Sequence, residues 1–312
     1  MSQSTKQAKH PFTTKLWAYL ELMRPANIVT AFADILAGYG VAIGMAALAQ
    51  DMSGISWSGP GWLLFSTLGL YGGGVVFNDV FDAGLDARER PERPIPSGRV
   101  SLAGATFIGG LLLIWGSYAA FQVNPYSGSI AVAIAACTLI YDKWAKHSIF
   151  WGPLLMGICR GGNLLLGCSI LPFVLPDVAF LAFIPLIYIA SITLISQGEV
   201  HGGSKIAGGS ALGLVIVVTG GLLLLAYFHP SYQMHTALPF VMLFGLLVIP
   251  PFFKAAVTPE AGYIRAAVRR GVLSLIVLNS AIAAGFVGVF FGLAVLALLP
   301  LSLLLARIFA VT

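Results

Sequence analysis

The sequence predicts an all-α integral membrane protein, on three observations. Of 312 residues, 58% are hydrophobic and only 9% are charged, where a soluble domain carries about 25% charged residues. The apolar residues fall in blocks of roughly twenty, long enough to cross a bilayer as helices. The basic residues collect in alternate connections between those blocks, as they do in polytopic membrane proteins.

In chain order the apolar blocks place helices at 25–48, 61–84, 102–121, 127–142, 149–171, 178–197, 208–228 and 236–254. From Gly271 onward the chain stays apolar for about forty residues, twice what the hydrocarbon layer needs at about 1.5 Å per residue. A break is therefore expected near Gly285–Gly292, giving nine helices, or ten if the last piece also crosses. The loops 49–60, 122–126, 172–177 and 229–235 contain no Lys or Arg. Of the 17 basic residues, all but Arg160 and Arg307 lie in the N-terminal segment or the other set of loops. The positive-inside rule then puts the N-terminus in the cytoplasm, with the protein in the cytoplasmic (inner) membrane. Arg307 returns to that side if a tenth helix exists.

Met1–Lys15 is polar and basic, with no apolar core of a signal peptide. Residues 1–20 are expected to form a cytoplasmic tail and 21–312 a single transmembrane domain. Cys137, Cys159 and Cys168 sit inside apolar blocks without disulfide or zinc spacing, and read as small buried hydrophobes. The formal net charge of +5 does not point to nucleic acid, because the basic residues are spread among loops rather than forming an aromatic-interleaved stripe.

Asn78-Asp79-Val80-Phe81-Asp82-Ala83-Gly84-Leu85-Asp86 closes the second helix. Spacings of three and four put Asp79, Asp82 and Asp86 on one helical face. One such carboxylate costs about 3 kcal/mol to insert mid-membrane, and three repel one another, so an ionised trio needs a compensating cation. Mg²⁺, which shares carboxylates with waters and phosphate oxygens, suits it. The plainer reading is an acidic helix end hydrated at the interface, but acids are disfavoured at a helix C-terminus. The next segment, Arg88 to Arg99, holds three prolines and four arginines. Arginine matches phosphate with paired hydrogen bonds, so Arg90 and Arg93 are candidate diphosphate contacts, whereas Arg99 reads as a positive-inside anchor.

These residues resemble the UbiA superfamily of intramembrane prenyltransferases. Asn78-Asp-x-x-Asp-x-x-x-Asp86 is similar to that family's first aspartate motif, and Arg93-Pro-Ile-Pro-Ser-Gly98 to the segment after it. Arg24-Pro25 and Tyr141-Asp-Lys-Trp-Ala-Lys146 are also similar, with Asp142 and Ala145 in place of commoner residues. The likeness runs from about residue 20 to at least 210 and looks most like the EboC-type branch. It implies a UbiA-like helical bundle around a lipid-facing cavity with cytoplasmic polar caps, moving a prenyl group from its diphosphate to an aromatic or other lipophilic acceptor from the bilayer. It also implies Mg²⁺ held between two aspartate motifs.

The second motif is eroded. Ser196-Gln-Gly-Glu199-Val-His201-Gly-Gly203-Ser-Lys205 keeps one acid, Glu199, and places His201, Ser196 and Gly203 where the family carries acids. The expectation is that Asp79, Asp82, Asp86 and Glu199 hold Mg²⁺, while Lys146, Arg90 and Lys143 help neutralise diphosphate. His201 is soft for Mg²⁺ and reads as a phosphate or proton partner. Asn27, Asn78, Tyr141 and Lys205 join the binding set through their motifs. Arg160, mid-span with Asn163 one turn later, faces a cavity or a partner, and Asp34 is a candidate ion-pair partner for it. Arg24-x-x-Asn27 repeats the Arg160-x-x-Asn163 pattern and hints at a duplicated four-helix unit. Two rivals stay open: a fold that binds diphosphate without ionising it, and a transporter or carrier of a lipid precursor.

Overall fold

The computed structural model describes residues 11–51, 58–199 and 202–309, and among them there is no strand. The helices are α1 (Pro11–Met23), α2 (Pro25–Leu48), α3 (Gly59–Glu89), α4 (Leu102–Phe121), α5 (Pro125–Ile140), α6 (Trp151–Cys168), α7 (Leu175–Val178), α8 (Phe183–Ser196), α9 (Lys205–Phe228), α10 (Met234–Val257), α11 (Ala261–Val287), α12 (Val289–Leu296) and α13 (Leu298–Ile308). From α2 onward the long helices pack against their successors, and α11 returns to α2 to close the ring. Among the described residues, eight stretches are long and apolar enough to cross a membrane. α5 and α6, of 16 and 18 residues, lie where the sequence places its fourth and fifth helices.

Three boundaries differ from the sequence expectation. The chain is helical from Pro11, ahead of the expected start at Pro25. Ala18 and Leu22 bury one face of that helix against Val76, Val100 and Ala105. α3 runs to Glu89 rather than Gly84, stopping where Arg90 meets Pro91. α11 begins ten residues before Gly271, because Ile264, Ala267 and Val268 bury one side while Arg265, Arg269 and Arg270 stay exposed on the other. The expected break falls at Gly288, whose φ of 115° only glycine adopts readily.

α2 and α6 cross with their backbones nearly touching. A β-carbon at Gly38 would collide with the Leu164 carbonyl oxygen, and one at Gly167 would lie 2.5 Å from that of Ile35. Small residues allow such approaches inside membranes. Beside this crossing lies a buried polar network. Arg160 Nε meets Asp34 Oδ2 at 2.7 Å, and Arg160 Nη2 donates to Thr30 Oγ1 at 2.9 Å. Asn163 donates to Asp34 Oδ2 at 3.0 Å and accepts from Thr67 at 2.7 Å. Asn279 of α11 donates to Asp34 Oδ1 at 2.6 Å. Both Asp34 oxygens thus have partners, as a carboxylate at 0% exposure requires.

Gly38→Val should lower the melting temperature in detergent, since overpacking a tight core costs about 1–3 kcal/mol. Arg160→Met alone should destabilise by about 3–5 kcal/mol, the cost of a stranded buried charge, while adding Asp34→Leu should recover at least half of the loss. Thermal-shift or urea titrations of the purified variants measure both.

Candidate active site

The acidic face of α3 sits where three separate chain segments converge. Asp79 and Asp86 are buried, while Asp82 is partly exposed. Basic side chains from those segments pair with the acids. Arg24 Nη2 donates to Asp79 Oδ1 at 2.8 Å. Arg93 Nη1 reaches Asp79 Oδ1 at 3.3 Å and Asp86 Oδ2 at 2.7 Å. Lys146 Nζ lies 2.5 Å from Asp82 Oδ1. Each cation arrives from a different element; Arg24 and Arg93 share Asp79 Oδ1, while Arg93 also reaches Asp86 and Lys146 meets Asp82.

Local structure explains each arrival. Arg24 occupies the junction between α1 and α2 with φ 49° and ψ 67°, a left-handed conformation that costs a non-glycine residue about 1–2 kcal/mol. It turns the chain between two helices and aims the guanidinium at α3. Arg93 sits in a proline-punctuated loop folded back on itself, with Ser97 N donating to Arg93 O at 3.0 Å and Val100 N to Pro94 O at 3.0 Å. Arg99 anchors that loop to α1 through two bonds to the Glu21 carboxylate, at 2.5 and 3.1 Å. Lys146 follows a π-helical turn, Tyr141–Ala145, a distortion found mostly where function demands it.

Glu199 arrives from the opposite wall. Its loop is pinned by Arg265 Nη1 donating to the Glu199 carbonyl at 2.9 Å and Gly203 N donating to Pro259 O at 2.9 Å. Gly202 turns it with φ 87°. Burial pushes the Glu199 carboxyl above its ordinary range, against the pull of Arg90, Arg265 and Arg24. Its Oε1 is buried without a hydrogen-bond partner among the described residues.

Two adjoining cavities result. The outer one, about 340 Å³, is lined by Asp82, Asp86, Glu89, Arg90, Arg93, Ser196 and Glu199. The inner one, about 240 Å³, is walled largely by apolar side chains, among them Leu70, Val75, Ile134, Met156 and Leu275, with Asp142, Arg160 and Asn163 as polar exceptions. Arg24, Tyr71, Asn78 and Tyr141 line both. A charged mouth therefore opens onto a greasy interior.

The remaining sequence-selected residues fall elsewhere. Lys143 is exposed, with its Nζ 4.5 Å from the Trp144 ring centroid. Lys205 is exposed in the first turn of α9. Asn27 is buried in the first turn of α2 and lines neither cavity. His201 lies outside the described residues. Sequence reasoning left Arg24 out of the site, although its motif with Pro25 was visible. It also missed Tyr71, whose ring centroid is 5.6 Å from the Arg160 guanidinium, because an aromatic in an apolar run carries no distinguishing signal.

Residues 39–258 match the model of the UbiA prenyltransferase family. A digeranylgeranylglyceryl phosphate synthase of Methanosarcina mazei is 35% identical over 165 residues, covering 50% of this chain and 55% of the relative. The chain thus spans about half the length of the curated relatives it matches. A solved digeranylgeranylglyceryl phosphate synthase shares the fold with a TM-score of 0.64 at 23% identity, over 88% of this chain and 99% of that one. A UbiA homolog from Archaeoglobus fulgidus bound to GPP and Mg²⁺ does so with a TM-score of 0.50 at 15% identity, over 90% and 99%. With more than half of its length matched by that model, the chain belongs to the UbiA prenyltransferase family.

Proposed function

We propose that the chain is an intramembrane, Mg²⁺-dependent prenyltransferase that moves an isoprenoid group from a prenyl diphosphate to a lipophilic acceptor. The observation that carries this reading is the junction of a cavity rimmed by acids and arginines with an apolar one. The first suits a metal-bound diphosphate and the second a hydrocarbon chain and acceptor. Membership of the family and the Mg²⁺ and GPP bound by the A. fulgidus homolog support it.

The donor set fits Mg²⁺ in kind. Asp82, Asp86 and Glu199 are hard oxygen donors lining one cavity, and the solitary buried Oε1 of Glu199 lacks a partner that a cation would provide. Among the described residues no three such donors are gathered closely enough to hold an ion, and Arg93 and Lys146 pair with Asp86 and Asp82, two of these three carboxylates. Asp82, Asp86 and Glu199, with Asp79, are the residues that would hold the metal. Bound there, Mg²⁺ would withdraw charge from the departing diphosphate oxygens.

The protein's own groups do the rest. Arg90, Arg93, Arg24 and Lys146 supply a fixed positive field for the charge that grows as the prenyl C1–O bond breaks. Asn78 and Tyr141 sit between the cavities, where that bond would lie. The apolar inner wall keeps water from capturing the prenyl cation before the acceptor does. Arg160 and Asn163, at the inner wall, would orient the acceptor's polar end.

The relatives' product name contains two geranylgeranyl groups on a glyceryl phosphate. A hydroxyl of a prenylated glyceryl phosphate is therefore the first acceptor to try, with an aromatic lipid second. The outer cavity belongs on the cytoplasmic side by the distribution of Lys and Arg.

In vesicles containing Mg²⁺, geranylgeranyl diphosphate and geranylgeranylglyceryl phosphate, the protein should release diphosphate and form a new lipid. EDTA should stop both, and Asp82→Asn or Glu199→Gln should slow them by about 100-fold or more. Mass spectrometry of the lipid and a diphosphate assay measure this. Full in vivo function of Asp82→Asn would favour the carrier reading instead.

A further inference from the structure

Asp142 stands apart from the acids already described. It occupies the π-helical turn at the end of α5, is 2% exposed, and is the one carboxylate lining the inner cavity among the described residues. The outer cavity does not include it. Oδ1 accepts a hydrogen bond from Asn78 Nδ2 at 3.0 Å. Oδ2 is buried and has no hydrogen-bond partner among the described residues.

A carboxylate oxygen left alone in an apolar site is costly, and buried polar groups without partners call for an explanation. Asp34 shows what a structural buried acid looks like here, with both of its oxygens engaged. Asp142 has one oxygen bonded and one buried without a partner, in a residue that lines the chamber where the reacting carbon and the acceptor would meet. The π turn strengthens the contrast, since inserting a residue into the helix redirects the side chains that follow.

We infer that Asp142 is the general base that takes the proton from the acceptor hydroxyl during prenyl transfer. This rests on the function proposed above. The donor C1–O bond breaks, and its electron pair leaves on diphosphate. A lone pair of the acceptor oxygen forms the new O–C1 bond, and the hydroxyl proton passes to Asp142 Oδ2. The proton then leaves through the outer cavity as diphosphate departs. In a cavity built to exclude water, no solvent molecule is at hand for this task. The bond from Asn78 holds Oδ1, and Asn78 is the chain neighbour of Asp79, one of the acids assigned above to the metal.

The opposing reading makes Asp142 only a positioning residue that orients Asn78. Asp142→Asn separates the two, because the asparagine carbonyl can still accept from Asn78 Nδ2 but cannot take up a proton. The assay uses the full chain in vesicles with Mg²⁺, geranylgeranyl diphosphate and geranylgeranylglyceryl phosphate. The expected result is a fall in kcat of about 100-fold or more, with the KM for the donor and the melting temperature unchanged. Asp142→Ala should lose turnover and also raise the donor KM. Transfer by Asp142→Asn within threefold of the wild-type rate, or a donor affinity that falls in step with turnover, would overturn the assignment and leave the proposed function standing. Wild-type protein that releases no diphosphate under these conditions would overturn both.

Discussion

Charge balance on one face of α3 is the constraint on which the site depends. Three carboxylates lie within eight residues of helix at the edge of an apolar bundle, and they stay together because cations reach them from elsewhere in the chain. Arg24 comes from the turn before α2, Arg93 from the loop after α3, and Lys146 from the turn after α5. The α1–α2 junction, the proline-rich loop and the π turn are thereby locked to one surface. A fold that only needed to bury its acids would mask both oxygens of each, as around Asp34. Here Asp79 Oδ1, Asp82 Oδ1 and Asp86 Oδ2 are each met by a basic side chain from another segment.

The second constraint is the network around Asp34 and Arg160. It joins α2, α6 and α11 through the Asp34 carboxylate and α3 through the Asn163 amide, and the low dielectric that strengthens those bonds makes any incomplete version costly. Arg160 also lines the inner cavity. Its charge therefore serves a packing role on one side while presenting a fixed positive group to whatever fills the cavity on the other.

Much of this was legible in the sequence, and the reasons it was legible are physical. Helices followed from apolar block length, the terminal break from a stretch too long for one crossing, and the common face of Asp79, Asp82 and Asp86 from helical spacing. The Asp34 partner of Arg160 could be named because an intramembrane arginine requires a counter-ion and few acids are available. What could not be read depends on contacts between distant segments. Arg24 reaches Asp79 only through a left-handed residue that no periodicity signals. Asn279 joins the network from 245 positions beyond Asp34, inside a run that otherwise reads as continuous hydrocarbon. Nothing local revealed that Arg93 folds back onto Asp79 and Asp86. Lys143 and Lys205 share motifs with site residues yet point away, since membership of a motif fixes sequence distance but not direction.

The glycine contact between α2 and α6 bears on how this protein can diversify. Where two backbones already meet at van der Waals distance, neither can move inward, and side chains added there would only force them apart. The inner chamber is lined by side chains outside that seam: Met156, Cys159, Arg160 and Asn163 of α6, with Leu70, Ile134, Ile189 and Leu275 from α3, α5, α8 and α11. Those lining side chains can be exchanged without touching the seam, which stays a fixed rail.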